Sequence, residues 1–147
     1  MTAAVKPHDQ CPHCGRYNNR SLASDAIIIR GDQILLGKRG HTGMPYGRYW
    51  ALFGGHNEWD ETIEETLLRE TKEESNLTVT SYKLLGIYSN PGRHPRQGVS
   101  IAYVVEVEGE PLAGDDIDEV RWWPLNKLPA ELAFDHLQII TDYLKSR

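Results

Sequence analysis

Three glutamates, Glu70, Glu73 and Glu74, stand at helical spacing behind a glycine pair, Gly54-Gly55. Residues three and four apart share a helix face, so these carboxylates crowd to one side. Like charges placed that way destabilise an isolated helix, and the arrangement asks for a cation. Hard divalent ions such as Mg²⁺ are held through carboxylate oxygens and substrate phosphates. One arginine, Arg69, sits inside the cluster, and Glu61 and Glu58 precede it. A solvated acidic helix face is the plain alternative, and the embedded arginine and the preceding glycine turn weigh against it.

Elements must position these groups. Ala26 to Leu36 reads as two strands around a Gly31-Asp32 turn. Gly37 to Tyr49 reads as a glycine-rich loop, with Lys38 and Arg39 at a strand end beside it. Trp50 to Phe53 reads as a short buried strand. A helix is predicted from about Glu61 to Ser75, with Asp60 as its N-cap and Ile63 and Leu67 facing inward. Leu77–Tyr88 and Val99–Glu108 follow as strand regions, separated by the turn-rich segment Ser89–Gly98. Glu110–Asp118 reads as an acidic loop, Val120–Pro124 as a strand, and Ala133–Leu144 as a helix with a Leu137, Ile140, Leu144 stripe. Mixed strands with two long helices imply an α/β sandwich.

The segment from Gly55 to Leu77 resembles the Nudix box. That pattern runs Gly, five residues, Glu, seven residues, Arg-Glu, an aliphatic, any residue, Glu-Glu, any residue, Gly, then an aliphatic. Gly55, Glu61, Arg69, Glu70, Glu73, Glu74 and Leu77 fall on it in register. Thr71 replaces an aliphatic residue and Asn76 replaces the closing glycine. Asn tolerates the left-handed conformation best among non-glycine residues, so Asn76 is expected still to stop the helix. The resemblance implies the Nudix fold, a mixed β-sheet sandwiched between α-helices. It also implies hydrolysis of a nucleoside diphosphate linked to another moiety. It assigns metal binding to Glu70, Glu73 and Glu74 with the Gly55 carbonyl, makes Arg69 the group that orients a glutamate, and gives Glu61 a supporting role. The cofactor implied is Mg²⁺, with Mn²⁺ as substitute. The general base stays open among box residues and the acidic loop, which offers Asp115, Asp116, Asp118 and Glu119.

A second likeness concerns substrate. Asn90-Pro-Gly-Arg93-His94-Pro-Arg96-Gln-Gly98, then Gly114-Asp115-Asp116, Val120–Leu125 and Leu132–His136, are similar to segments of ADP-ribose pyrophosphatases in the same order. His94 stands where that group usually has aspartate. The likeness implies cleavage of ADP-ribose to AMP and ribose 5-phosphate. Alternatives are NADH or damaged nucleoside triphosphates, and, outside enzymes, a nucleotide-sugar sensing domain. Arginine forks suit phosphate, which makes Arg93, Arg96 and Arg39 the substrate-binding candidates. Tyr46, Tyr49, Trp50 and Trp59 are candidates to stack an adenine, although core packing is the preferred reading for Trp50.

The chain has 147 residues, net charge −5 and two cysteines. That is one domain's worth of chain. Acidity argues against a nucleic-acid or membrane-surface partner. No run approaches the ~18 apolar residues of a membrane span, and no apolar leader opens the chain. Few cysteines fit a reducing cytoplasm. Residues 1–20 form an N-terminal segment carrying Cys11 and Cys14 as one Cys-x-x-Cys knuckle, ahead of a domain over residues 21–147. Structural Zn²⁺ needs four ligands. A single knuckle is therefore read as a reduced pair without metal, and a zinc site shared across a homodimer is the alternative.

Overall fold

A computed structural model describes residues 10, 13, 19–41 and 43–147. The chain order is β1 (Leu22–Arg30), β2 (Gln33–Arg39), β3 (Trp50–Ala51), β4 (Phe53–His56), α1 (Ile63–Ser75), β5 (Thr78–Tyr88), β6 (Val99–Glu108), β7 (Ile117–Pro124) and α2 (His136–Ser146). Seven strands form a mixed sheet with the path β3-β2-β1-β6-β5, while β4 pairs with β1 and β7 with β2. Among the described strands only β1 and β6 pair in parallel, from Leu22 opposite Val99 to Ile28 opposite Val105. The remaining pairs among these strands are antiparallel.

Strand periodicity divides the core. Ala26 and Ile28 of β1 join Leu35, Phe53, Leu67, Tyr103 and Val105 on the α1 side. Ile27 joins Ile34, Leu36, Trp50, Leu52, Ile139 and Ile140 on the α2 side. The sheet is therefore sandwiched between helices, as expected. The β1–β2 hairpin turns at Gly31, whose φ of +61° glycine adopts at little cost.

Three local expectations are corrected. Helix α1 starts at Ile63, and Thr62 is its N-cap: the Thr62 hydroxyl accepts from Glu65 N–H while Glu65 accepts from Thr62 N–H. This reciprocal box outcompetes Asp60, which instead takes a left-handed φ of +62° in the preceding turn. Helix α2 starts three residues late, because Ala133 N–H bonds Trp50 O and Phe134 turns left-handed at φ +51°. Its inner face is His136, Ile139 and Ile140, whereas Leu137 and Leu144 are exposed. Strand β7 begins at Ile117, inside the segment read as the acidic loop. Asn76 does close α1, with φ +65° and its N–H bonded to Lys72 O. Thr71 is fully buried and its hydroxyl has no hydrogen-bond partner among the described residues. Cys11 and Cys14 lie outside the described residues.

Candidate active site

Strand β4 runs beside α1, and the glycine pair lets the two touch. Gly54 N–H donates to Glu74 Oε1 at 2.8 Å. A side chain on Gly55 would fall 2.3 Å from the Glu70 carboxyl carbon. Neither glycine has a positive φ, so both are required for space rather than for backbone conformation. Arg69 then ties the acids together. Its Nε and Nη2 grip Glu61 at 2.7 and 3.0 Å, Nη1 reaches Glu70 at 2.7 Å and Glu73 at 3.3 Å, and Nη2 also reaches His56 O at 3.1 Å. A planar fork suits this multiple grip where an ammonium would not. The Arg69 bonds, then the Thr66 hydroxyl at 2.6 Å, hold the Glu61 carboxyl down to about 2.

The fold brings in a residue from outside the box. Glu70, Glu73 and Asp115 each present one oxygen, and these oxygens lie within 4.8 Å of one another. The loop before β7 reaches α1 because it satisfies the helix's last carbonyls. Leu112 N–H bonds Ser75 O, and Gly114 N–H bonds Glu74 O. Gly114 lies flush on the helix, where a Cβ would stand 2.3 Å from Glu73 O. Asp115 follows with φ +50° and turns its carboxylate to Glu70 and Glu73. Three convergent carboxylates are a hard-oxygen set that fits a divalent cation such as Mg²⁺ or Mn²⁺. Glu74 stands behind that trio. It is buried, and burial first, then Glu70, Asp25 and Asp115, push it up to about 8 against the opposing Gly54 N–H bond. Burial also raises Glu70.

Glu70, Glu74 and Asp115 form one side of a cleft of ≈ 380 Å³ that is also lined by Asp25, Arg39, His94, Phe134 and His136, while Glu73 stands outside that lining. Phe134 stacks on His94 with centroids 5.0 Å apart and planes at 19°, and the Arg39 guanidinium lies 5.1 Å over the Phe134 ring. Arg39 donates through Nε to Pro45 O, and burial lowers its pKa.

The other substrate candidates are placed differently. Arg93 lines the cleft, but its guanidinium is committed to Asp135 at 2.8 and 2.7 Å and to Gly98 O at 3.1 Å. Arg96 is exposed and lies outside the cleft lining. None of the four aromatic stacking candidates lines the cleft. Trp50 is core, Trp59 is 83% exposed, and Tyr46 packs on Tyr49 and Phe134. Asp25 and His136 were not anticipated: a single Asp within a strand and a single His at a helix start carry no spacing signal.

The family model for the NUDIX domain matches residues 19–143. This chain belongs to that family. It is 45% identical over 131 residues to the ADP-ribose pyrophosphatase of Methanocaldococcus jannaschii, covering 88% of this chain and 76% of that one. It is 32% identical over 124 residues to the NAD-capped RNA hydrolase NudC of Pseudomonas aeruginosa, covering 82% of this chain but only 42% of NudC. The NUDIX domain of Shewanella oneidensis NrtR, crystallised with ADP ribose, superposes with a TM-score of 0.75 at 28% identity, covering 86% of this chain and 88% of that one. A MutT/nudix family protein from Enterococcus faecalis gives 0.78 at 30% identity, covering 94% of this chain and 64% of its own. The chain is a Nudix hydrolase, acting on phosphoanhydride bonds. No helix among its described residues is long and apolar enough to cross a membrane.

Proposed function

We propose that this Nudix hydrolase cleaves the pyrophosphate of ADP-ribose to give AMP and ribose 5-phosphate. The observation that carries the reading is the convergence of the Glu70, Glu73 and Asp115 carboxylates at a cleft that Glu70 and Asp115 line together with Arg39, His94 and Phe134. The acids form the cation-binding end, and Arg39 offers a guanidinium for phosphate. The 45% identity to an ADP-ribose pyrophosphatase and the likeness to a domain crystallised with ADP ribose support the substrate.

Glu70, Glu73 and Asp115 would hold Mg²⁺, with Mn²⁺ able to substitute. Such a cation supplies charge neutralisation for the pyrophosphate and acidifies water. Arg69 fixes Glu61, Glu70 and Glu73 so that the acids need not reorganise when substrate arrives. Glu74, a cleft carboxylate outside that trio whose Oε1 accepts from Gly54 N–H, would accept the proton of the attacking water once it is ionised, above about pH 8. We place the reaction in the cytoplasm, on a free nucleotide rather than on nucleic acid, by a single catalytic domain over residues 21–147. A homodimer is compatible with this reading, and Cys11 and Cys14 are taken to bind no zinc.

NADH is the second substrate to weigh, because the NudC relatives share about a third of their aligned residues with this chain. The test is a panel of ADP-ribose, NADH, ADP-sugars and damaged nucleoside triphosphates, assayed with Mg²⁺ and with Mn²⁺. ADP-ribose is expected to have the highest kcat/KM. A tenfold or greater preference for NADH or a triphosphate would replace the reading, and binding without turnover of any member would point to a sensing domain.

A further inference from the structure

A second polar constellation lines the same cleft and takes no part in holding the acids. Asp25 of β1 and His136 at the start of α2 line it, with Ser100 of β6 bonded to Asp25, and the three are 8%, 3% and 0% exposed. The Ser100 hydroxyl donates to Asp25 Oδ2. The backbone N–H of Leu52 donates to His136 Nδ1 at 3.0 Å. A ring nitrogen that accepts carries no proton, so the neutral imidazole is pinned with its hydrogen on Nε2. Burial lowers the His136 pKa and favours that neutral form.

His136 Nε2 and Asp25 Oδ1 are 3.7 Å apart. That is too long for a hydrogen bond between them. It is the right spacing for one oxygen to sit ~2.8 Å from both, accepting from Nε2–H and donating to Oδ1. Only a hydroxyl or a water does both at once. A phosphate oxygen cannot donate, and a carboxylate oxygen would meet Asp25 as a like charge. Both residues line the cleft, so a donor–acceptor pair at this spacing marks a place for a hydroxyl.

We propose that Asp25 and His136 form a hydroxyl-reading subsite that selects a sugar hydroxyl of the nucleoside diphosphate substrate. The subsite rests on the pyrophosphatase reading for the identity of its ligand and adds a basis for specificity. Ser100 and Leu52 act as positioning groups, the first fixing the carboxylate and the second the tautomer. An ordered water is the competing occupant.

The experiment uses ADP-ribose and its monodeoxy analogues, each lacking one ribose hydroxyl. Binding is measured by calorimetry without divalent metal, and hydrolysis is measured with Mg²⁺. The wild type is expected to lose about 10- to 100-fold in affinity for at least one analogue, the range for a hydrogen bond to a charged group. That penalty should shrink to within about threefold in Asp25→Asn and His136→Phe. His136→Gln, which keeps a donor, should restore part of it, and this rescue separates a reading role from a merely structural one. If Asp25→Asn does not fold, the His136→Gln and His136→Phe comparison decides the matter. Equal affinity of the wild type for every analogue would leave water as the occupant and overturn the proposal, as would a penalty that survives His136→Phe. Hydroxyl-dependent binding without hydrolysis would sink the pyrophosphatase reading and uphold the subsite. Hydrolysis of ADP-ribose with hydroxyl-independent binding would do the reverse.

Discussion

Adding one methyl group at Gly55 tests whether the glycine pair exists to let a metal-binding carboxylate approach the sheet. The Cβ of Gly55→Ala would stand 2.3 Å from Glu70 Cδ and 2.5 and 2.6 Å from its two oxygens. Ordinary contact begins near 3.4 Å, so the carboxyl must withdraw by roughly 1 Å. Glu70 is not free to swing, because Arg69 Nη1 holds its Oε1 at 2.7 Å. The displacement therefore pulls Glu70 away from Glu73 and Asp115. A misplacement of about 1 Å at a reacting centre costs on the order of 100-fold in rate, while overpacking against a side-chain end costs about 1–3 kcal/mol of stability. Gly54→Ala makes the informative contrast. Its Cβ would lie 1.9 Å from the backbone oxygen of Ser24, in the β1–β4 ladder. Backbone cannot step aside, so that variant should fail in folding rather than in catalysis. The assay pairs thermal melts with ADP-ribose hydrolysis over an Mg²⁺ titration. Gly55→Ala should keep most of its melting temperature, lose about two orders of magnitude in kcat and need more Mg²⁺. Turnover within about threefold of wild type would refute the reasoning, and so would a loss matched by unfolding as severe as that of Gly54→Ala.

Four further outcomes follow from named contacts. Asp115→Asn should weaken Mg²⁺ dependence and cut kcat at least about 100-fold with little change in melting temperature, since it removes an exposed charge from the trio; normal Mg²⁺ titration would exclude Asp115 from the site. Glu74 sits at about 8 when folded against an ordinary 4.5. Between those values the folded chain keeps a proton that the unfolded chain has released, so metal-free stability should fall as pH rises through the window. Glu74→Gln should flatten that pH dependence in melts done in chelator, and an unaltered slope would count against a protonated Glu74. Arg93→Ala should destabilise by about 2–4 kcal/mol in a denaturant titration, by stranding Asp135, and raise KM, whereas Arg96→Ala should leave stability unchanged. Thr71→Val should raise stability by about 1 kcal/mol, because it removes a buried hydroxyl that has no partner; a lower unfolding midpoint would show that the hydroxyl is satisfied.

The box was legible because it is local. Helical geometry alone gathers Arg69 and Glu70 with Glu73, four and three residues on, and the two-sided burial of β1 and β2 was written in their apolar runs. The α1 start was legible too, in Thr62-x-x-Glu65, although Asp60 was the wrong choice of cap. What the sequence could not rank was distant partners. Glu74 shares a helix face with Glu70 and Glu73, yet the β4 backbone claims it, and Asp115 takes the third place in the trio from 41 residues beyond Glu74. Arg93 has the chemistry of a phosphate ligand in any linear reading, and only the arrival of Asp135 at the head of α2 shows that its fork is already filled. The Asp25–His136 pair lies 111 residues apart in sequence, in a strand and a helix that share no motif. Local spacing thus determined the charge-bearing helix and the family, because side chains three and four apart must meet. Which carboxylates converge, and which arginines are tied up by a carboxylate, was decided by long-range pairing that no single stretch of sequence contains.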